Sequence, residues 1–307
     1  MDEPIEIAPD LAWLRTSIAN VYFAGNSENW ALVDAGVTGY SNAIVKAAAA
    51  RFGAASKPKA ILLTHGHFDH AGCARDLARQ WGAPVFAHKL EFPYLTGKSA
   101  YPRKDPTVGG AMAFLSRFFP ARTVNLRETL HELPESGELP GLPGWVALHT
   151  PGHAPGHVCY WRETDGILIG GDVVATANLD SWLDIMSQKK QLSRPPSPFT
   201  YDWGKARASI AKIAALKPKI LACGHGEPMR DPGLAEALEA FSASFTPPEH
   251  GRYVEVPART DMDGVVYEPP APKDRLPKVA AGLVTGIFVA AGLIYRKRGQ
   301  KAKQDFE

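Results

Sequence analysis

The sequence predicts an α/β fold: a four-layer αββα sandwich of two mixed β-sheets flanked by helices, followed by a separate C-terminal hydrophobic helix. Three observations predict it. Short apolar strand-like runs alternate with helical stretches through residues 1–245, as in layered α/β domains. Each half of that region also opens on consecutive strands, which gives each sheet an antiparallel part. The remaining residues are different material, first rich in proline and then uncharged.

Residues 11–17, 20–24 and 30–34 read as strands, apolar or alternating and broken by turn residues. Residues 40–52 form an Ala-rich helix that Gly53 ends. A strand at 59–64 precedes a helix at 71–81, whose apolar spacing runs through Leu77, Ala78 and Trp81, and a short strand at 84–87 follows. The second half repeats the theme with strands at 145–149, 157–161 and 167–170. A helix at 202–216, capped by Asp202, leads to a last strand at 220–223 and a last helix at 234–245.

The richest motif is His65-Gly66-His67-Phe68-Asp69-His70, directly after the apolar run Ala60-Ile61-Leu62-Leu63. Imidazole nitrogen and carboxylate oxygen suit zinc and its neighbours. Alternate residues of a strand share a face, so His65 and His67 can aim at one point and Asp69 and His70 at a second. Three later strand ends supply more such groups: Thr150-Pro151-Gly152-His153-Ala154-Pro155-Gly156-His157, Gly170-Gly171-Asp172 and Cys223-Gly224-His225-Gly226. Glycine at each lets the backbone turn sharply.

Together these motifs resemble the metallo-β-lactamase fold superfamily. The matching residues are Thr64 to His70, Thr150-Pro151-Gly152-His153 with Gly156-His157, Gly171-Asp172, Gly224-His225, and Asp34 in Leu32-Val33-Asp34-Ala35-Gly36. The resemblance covers residues 10–245. It implies a two-metal site, with zinc expected and iron or manganese as the other candidates. His65, His67 and His153 would hold the first ion, Asp69, His70 and His225 the second, and Asp172 would bridge both. Asp34 would orient the first loop from behind, and His157 has a similar supporting role. Aspartate at the bridging position resembles the glyoxalase II, lactonase and ribonuclease Z branches; zinc β-lactamases usually carry Cys or Ser there.

The implied chemistry is hydrolysis. Two ions about 3.5–4 Å apart share a water and make it hydroxide near neutral pH. Asp69 would be catalytic as well as a ligand, orienting that water and taking up its proton. The expected substrate is a small acyl compound: a lactone, ester, thioester or amide. A glutathione thioester ranks below a lactone or ester, because only the helix at 234–245 separates the last ligand from the proline-rich segment. Three alternatives stay open: an iron-dependent oxidoreductase of the persulfide dioxygenase kind, β-lactamase activity, and a non-enzymatic membrane-tethered binding module.

Composition fits a folded enzyme: 307 residues, 45% hydrophobic and 21% charged, with a net charge of +2. That charge gives no nucleic-acid surface, so the expected partner is a small molecule, and a homodimer stays open. Cys73, Cys159 and Cys223 lie in apolar segments and read as reduced, buried thiols. His88, His131 and His250 have no partner pattern, and His149 reads as a core residue or as one supporting the ligands from behind. Tyr160 and Tyr201 read as packing residues, with oxyanion stabilisation as the alternative.

Two long segments interrupt the pattern. Residues 91–122 and 175–201 mix aromatic and basic residues, and insertions of this kind commonly form lids or substrate walls. Residues 246–278 read as a linker. Residues 279–295 carry no charge and include Gly282 and Gly286; as a helix of about 26 Å they approach the roughly 30 Å bilayer core. Lys278 and Arg296 can snorkel at its ends, and residues 296–307 form a basic tail. The N-terminus has no basic start or apolar run, so the catalytic domain is expected in the cytoplasm, anchored by this helix. Deleting residues 279–307 is expected to move the protein from the membrane to the soluble fraction without changing its activity. Fractionation of the full chain tests this, and a wholly soluble full chain would sink the anchor.

Overall fold

The computed structural model describes residues 3–120, 124–134 and 138–274. The first half is a seven-stranded sheet in the order β1-β2-β3-β4-β5-β6-β7. Strands β1 (Ile5–Ala8), β2 (Leu11–Thr16), β3 (Ala19–Gly25) and β4 (Trp30–Val33) are antiparallel neighbours. Helix α1 (Ser41–Phe52) then crosses to β5 (Ala60–Leu62), and α2 (Ala74–Trp81) to β6 (Val85–Ala87). The first insertion contributes α3 (Phe92–Leu95) and α4 (Gly110–Ser116) before β7 (Leu130–Glu132). The β4–β5, β5–β6 and β6–β7 pairs are parallel.

The second sheet starts with β8 (Val146–His149), β9 (Val158–Arg162) and β10 (Ile167–Gly171), all antiparallel. The second insertion forms a hairpin, β11 (Ala175–Ala177) with β12 (Lys190–Ser193), which encloses α5 (Trp182–Ser187). Helix α6 (Trp203–Ala215) then brings β13 (Ile220–Cys223) back parallel to β10, completing the order β13-β10-β9-β8. Asp202 caps α6 as its sequence suggests, accepting from the Lys205 N–H at 2.9 Å. Helix α7 (Leu234–Ser244) packs on α6.

The strand period of two sorts the core into three layers. Phe23, Leu32 and Ile61 pack under α1 and α2 with Ile44, Phe52, Leu77 and Trp81. Their neighbours Tyr22, Val33 and Leu62 face the other sheet and meet Val158, Tyr160, Ile167 and Ile169. On the far side Cys159, Leu168 and Leu221 pack against Trp203, Ile210 and Leu238 of α6 and α7. Three apolar layers between four sets of elements make the expected αββα sandwich.

Helix α2 begins three residues later than its apolar spacing suggests. Residues 71–73 instead continue the turn that begins at His67, with the Ala71 N–H donating to the His67 carbonyl at 2.8 Å. Strands β1 and β7 were not legible, being three or four residues long with most side chains partly exposed.

The linker reading of residues 246–278 needs correction as far as Asp274. That stretch forms a hairpin, β14 (Arg259–Asp261) with β15 (Gly264–Tyr267), and folds back on the domain. Proline removes donors, but Arg252 and Tyr253 supply buried anchors. The Arg252 main-chain N–H donates to Asp105 at 2.5 Å, the Tyr253 hydroxyl to the Arg103 carbonyl at 2.6 Å, and Arg117 pairs with Asp274 at 2.9 Å. The apolar run at 279–295 and the basic tail lie outside the described residues. No described helix is long and apolar enough to cross a membrane.

One joint between the sheets is a histidine pair. His88 follows β6 and His149 ends β8; their rings stack 4.2 Å apart and nearly parallel. Burial, then His149 and Lys89, lowers the His88 pKa to about 4. Burial also lowers that of His149. A depressed histidine pKa means the unfolded chain binds the proton first. Stability is therefore full above pH 6.5 and falls as pH drops towards about 4. His88→Gln is expected to flatten that acid limb of the melting-temperature profile; an unchanged slope counts against the pair as its source.

Candidate metal centre

The ends of β5, β8, β10 and β13 meet at one edge of the sandwich. Asp34, one residue beyond β4, organises the first of them from a left-handed backbone conformation (φ 60°). Its carboxylate accepts from the Thr64 N–H at 2.8 Å and contacts the Thr64 hydroxyl and His70 Nδ1, the last at 2.7 Å. The strain of that backbone, of order 1–3 kcal/mol, is offset by these buried bonds.

Two groups of side chains then converge. In the first, His65 Nε2 lies 2.9 Å from His67 Nδ1, which lies 3.0 Å from His153 Nε2. In the second, Asp69, His70 and His225 bring one ligand atom each to within 4.8 Å of one another. Asp172 touches both groups. Its Oδ1 is 3.4 Å from His70 Nε2, and its Oδ2 is 3.1 Å from His225 Nε2 and 3.3 Å from His153 Nε2. All seven side chains are buried.

The outer nitrogen of each imidazole has a partner, which turns the other lone pair inward. His65 Nδ1 lies 3.1 Å from the Thr64 hydroxyl, His67 Nε2 3.4 Å from the Tyr201 hydroxyl, and His153 Nδ1 3.2 Å from the Thr200 hydroxyl. His225 Nδ1 donates to the Ile18 carbonyl at 2.7 Å. His157 sits behind the cluster: its Nε2 accepts from the Asp172 N–H at 2.9 Å, and its Nδ1 meets the Thr150 hydroxyl.

Electrostatics separate the two groups. Burial, reinforced by neighbouring imidazoles, holds His65 and His153 well below the ordinary histidine range and His67 at about 3. These three are neutral, with lone pairs to give. Burial is the largest influence on His70 and His225 and would lower both, but Asp172, joined by Asp34 at His70 and Asp69 at His225, outweighs it and raises both. Asp172 is opposed by burial, yet His225 and His70 hold it well below the carboxylate range. Burial raises Asp69.

The donor set fits metal cations. Among the described residues, His70 Nε2 and Asp172 Oδ1 are buried without hydrogen-bond partners, and they face one another. Three neutral imidazoles point lone pairs at one point, an arrangement a cation satisfies.

Several supporting residues were not legible. Asn20 and Tyr22 on β3 bind the main chain of the last loop: Asn20 Nδ2 donates to the Cys223 and Gly226 carbonyls at 2.9 and 2.6 Å, and the Tyr22 hydroxyl to Cys223 at 2.5 Å. An asparagine inside an apolar strand was the available signal. Glu91 is buried at the start of the first insertion. Tyr160 donates to the Leu63 carbonyl and so fixes the strand before His65. The three cysteines are free and buried, and Cys223 joins none of the ligand groups among the described residues.

Above the cluster is a narrow pocket with His67, Asp69, His153, Asp172 and His225 at its floor. Its walls are Ile18, Phe68, Met112, Phe119, Pro196 and Phe199. Both insertions therefore reach the centre as walls. Their basic residues Arg117 and Arg194 pair instead with Asp274 and Asp180.

Comparison with known proteins agrees with this geometry. A profile described as the Metallo-beta-lactamase superfamily matches residues 14–225. The chain belongs to that superfamily. It is 40% identical over 228 residues to Probable metallo-hydrolase YflN of Bacillus subtilis (strain 168), covering 73% of this chain and 86% of that one. It is 30% identical over 118 residues to the hydroxyacylglutathione hydrolase GloC of Haemophilus influenzae, covering 38% of this chain and half of the relative. The crystal structure of BLEG-1 B3 metallo-beta-lactamase superposes with a TM-score of 0.50 at 26% identity, covering 74% of this chain and 92% of that one. This superfamily member is a metal-dependent hydrolase.

Asp34→Ala would orphan the buried Thr64 N–H and His70 Nδ1 groups. At about 1–3 kcal/mol per orphaned group, a loss of roughly 2–6 kcal/mol is expected. Urea unfolding of the metal-free protein measures it, and a loss below about 1 kcal/mol would mean water replaces the carboxylate.

Proposed function

We propose that this chain is a binuclear zinc hydrolase acting on a small acyl substrate. The observation that carries this is Asp172, buried between two His/Asp groups at the floor of an apolar-walled pocket. His65, His67 and His153 would hold one ion and Asp69, His70 and His225 the other, with Asp172 shared. When bound, the ions supply an acidified water and polarise the substrate carbonyl.

The chain's own groups do the rest. Asp69 on the pocket floor orients the attacking water and receives its proton. Met112, Phe119, Pro196 and Phe199 exclude bulk water and hold the apolar part of the substrate. Among the described residues no arginine or lysine lines the pocket. No cationic side chain adds to the ions' charge for a phosphoryl group's oxygens there, which favours a carbonyl centre. The same walls suit a lactone or simple ester ahead of a bulky polar glutathione conjugate. The partial similarity to a hydroxyacylglutathione hydrolase keeps thioesters within the class.

Protein purified without added metal is expected to carry about two zinc ions per chain by elemental analysis. On a panel of p-nitrophenyl esters, lactones, S-lactoylglutathione, a β-lactam and a phosphodiester, kcat/KM should be highest for esters or lactones. Asp172→Ala should keep the fold by circular dichroism, lose metal, and fall in turnover by at least about 100-fold. A stoichiometry near zero with no gain on zinc addition would overturn the reading, as would cleavage confined to the phosphodiester.

A further inference from the structure

Glu91 is fully buried, yet its partners are not cations. Oε1 accepts from the Gly156 N–H at 2.7 Å and Oε2 from the Gly66 N–H at 2.9 Å. The Tyr101 hydroxyl also donates to Oε2, while itself lying 3.0 Å from the Gly66 nitrogen. Gly66 stands between His65 and His67, and Gly156 between His153 and His157. One carboxylate thus joins the two loops that carry the first ligand group.

The contacts are close enough to dictate residue type. A Cβ on Gly156 would sit 2.8 Å from Glu91 Cγ, and one on Gly66 would sit 2.6 Å from the Tyr101 hydroxyl. The Tyr101 ring meets the His67 ring edge-on at 4.5 Å and is itself stacked on Tyr94 at 4.0 Å. Glu91 also begins the first insertion, so the clamp ties that pocket wall to the ligand loops. A buried carboxylate costs several kcal/mol unless its bonds are good, and this one holds main-chain donors that fix distance rather than charge.

We infer that Glu91 is a positioning residue, locking the His65/His67 loop to the His153 loop and so setting the spacing of the first ligand group. This rests on the metal-hydrolase reading. A carboxylate offers acceptors on both edges. The amide of glutamine offers one, so Glu91→Gln leaves one loop N–H facing a donor.

The test uses the full chain and zinc itself as probe. Zinc affinity is read by chelator competition, ligand geometry by the visible absorption of the cobalt(II)-loaded protein, and stability by melting of the metal-free form. Glu91→Gln is expected to weaken zinc binding about 10–100-fold and to change the cobalt spectrum. Gly156→Ala displaces the carboxylate without altering it, and should do the same. Tyr101→Phe keeps both loop bonds and should lose less than about tenfold. Lower melting temperatures with unchanged zinc affinity and cobalt spectrum would overturn the clamp and leave Glu91 a packing residue. If Glu91→Gln fails to fold, Gly156→Ala decides on the same readouts. A wild-type protein that takes up no zinc would overturn the metal reading, and the clamp with it.

Discussion

Burying Asp172 among histidines is the constraint on which the rest of the structure depends. A carboxylate out of water is stable only where compensating charge and hydrogen bonds surround it. Here His70, His153 and His225 face its oxygens, and His157 accepts from its main chain. Each of those imidazoles is in turn held by a group behind it, so the cost of burial spreads outward through Asp34, Thr150, Thr200 and Ile18.

The layered fold makes this affordable because both sheets end their strands at the same edge. Asp34 and His65 to His70 come from the first sheet; His153, Asp172 and His225 come from the second. Bonds from Asn20 and Tyr22 to the loop of His225, and from Tyr160 to Leu63, cross between the halves. The ligand loops are therefore fixed by the packing between the sheets. The insertions are added over this frame as walls, tied in through Glu91 on one side and by the Tyr201 contact to His67 on the other.

Strand periodicity made most of the frame legible. The apolar runs of β2 to β5 and β8 to β10 sit within one or two residues of where the alternation put them, because both faces of these strands, β8 apart, are buried. Elements that failed to show were short and half-exposed, such as β7, or anchored by a few side chains in otherwise polar sequence, such as the hairpin β14–β15. Proline content argued for a linker at 246–278, but it describes only what the backbone cannot donate. It is silent on whether Tyr253 and Arg252 find a surface to bury against.

The candidate ligands were readable because this set consists of His and Asp side chains placed just after strand ends, and both properties are local. What the sequence by itself determined was therefore the inventory: His65, His67, Asp69, His70, His153, Asp172 and His225, on an α/β frame. The family resemblance of those motifs also implied how they divide into two groups; only the tertiary structure decided what supports them. It placed His157 behind Asp172, set Tyr201 against the outer nitrogen of His67 rather than over the pocket, and brought Glu91 between two loops ninety residues apart. Those roles depend on distances across sheets and insertions, and such distances are set by packing, which no local pattern records.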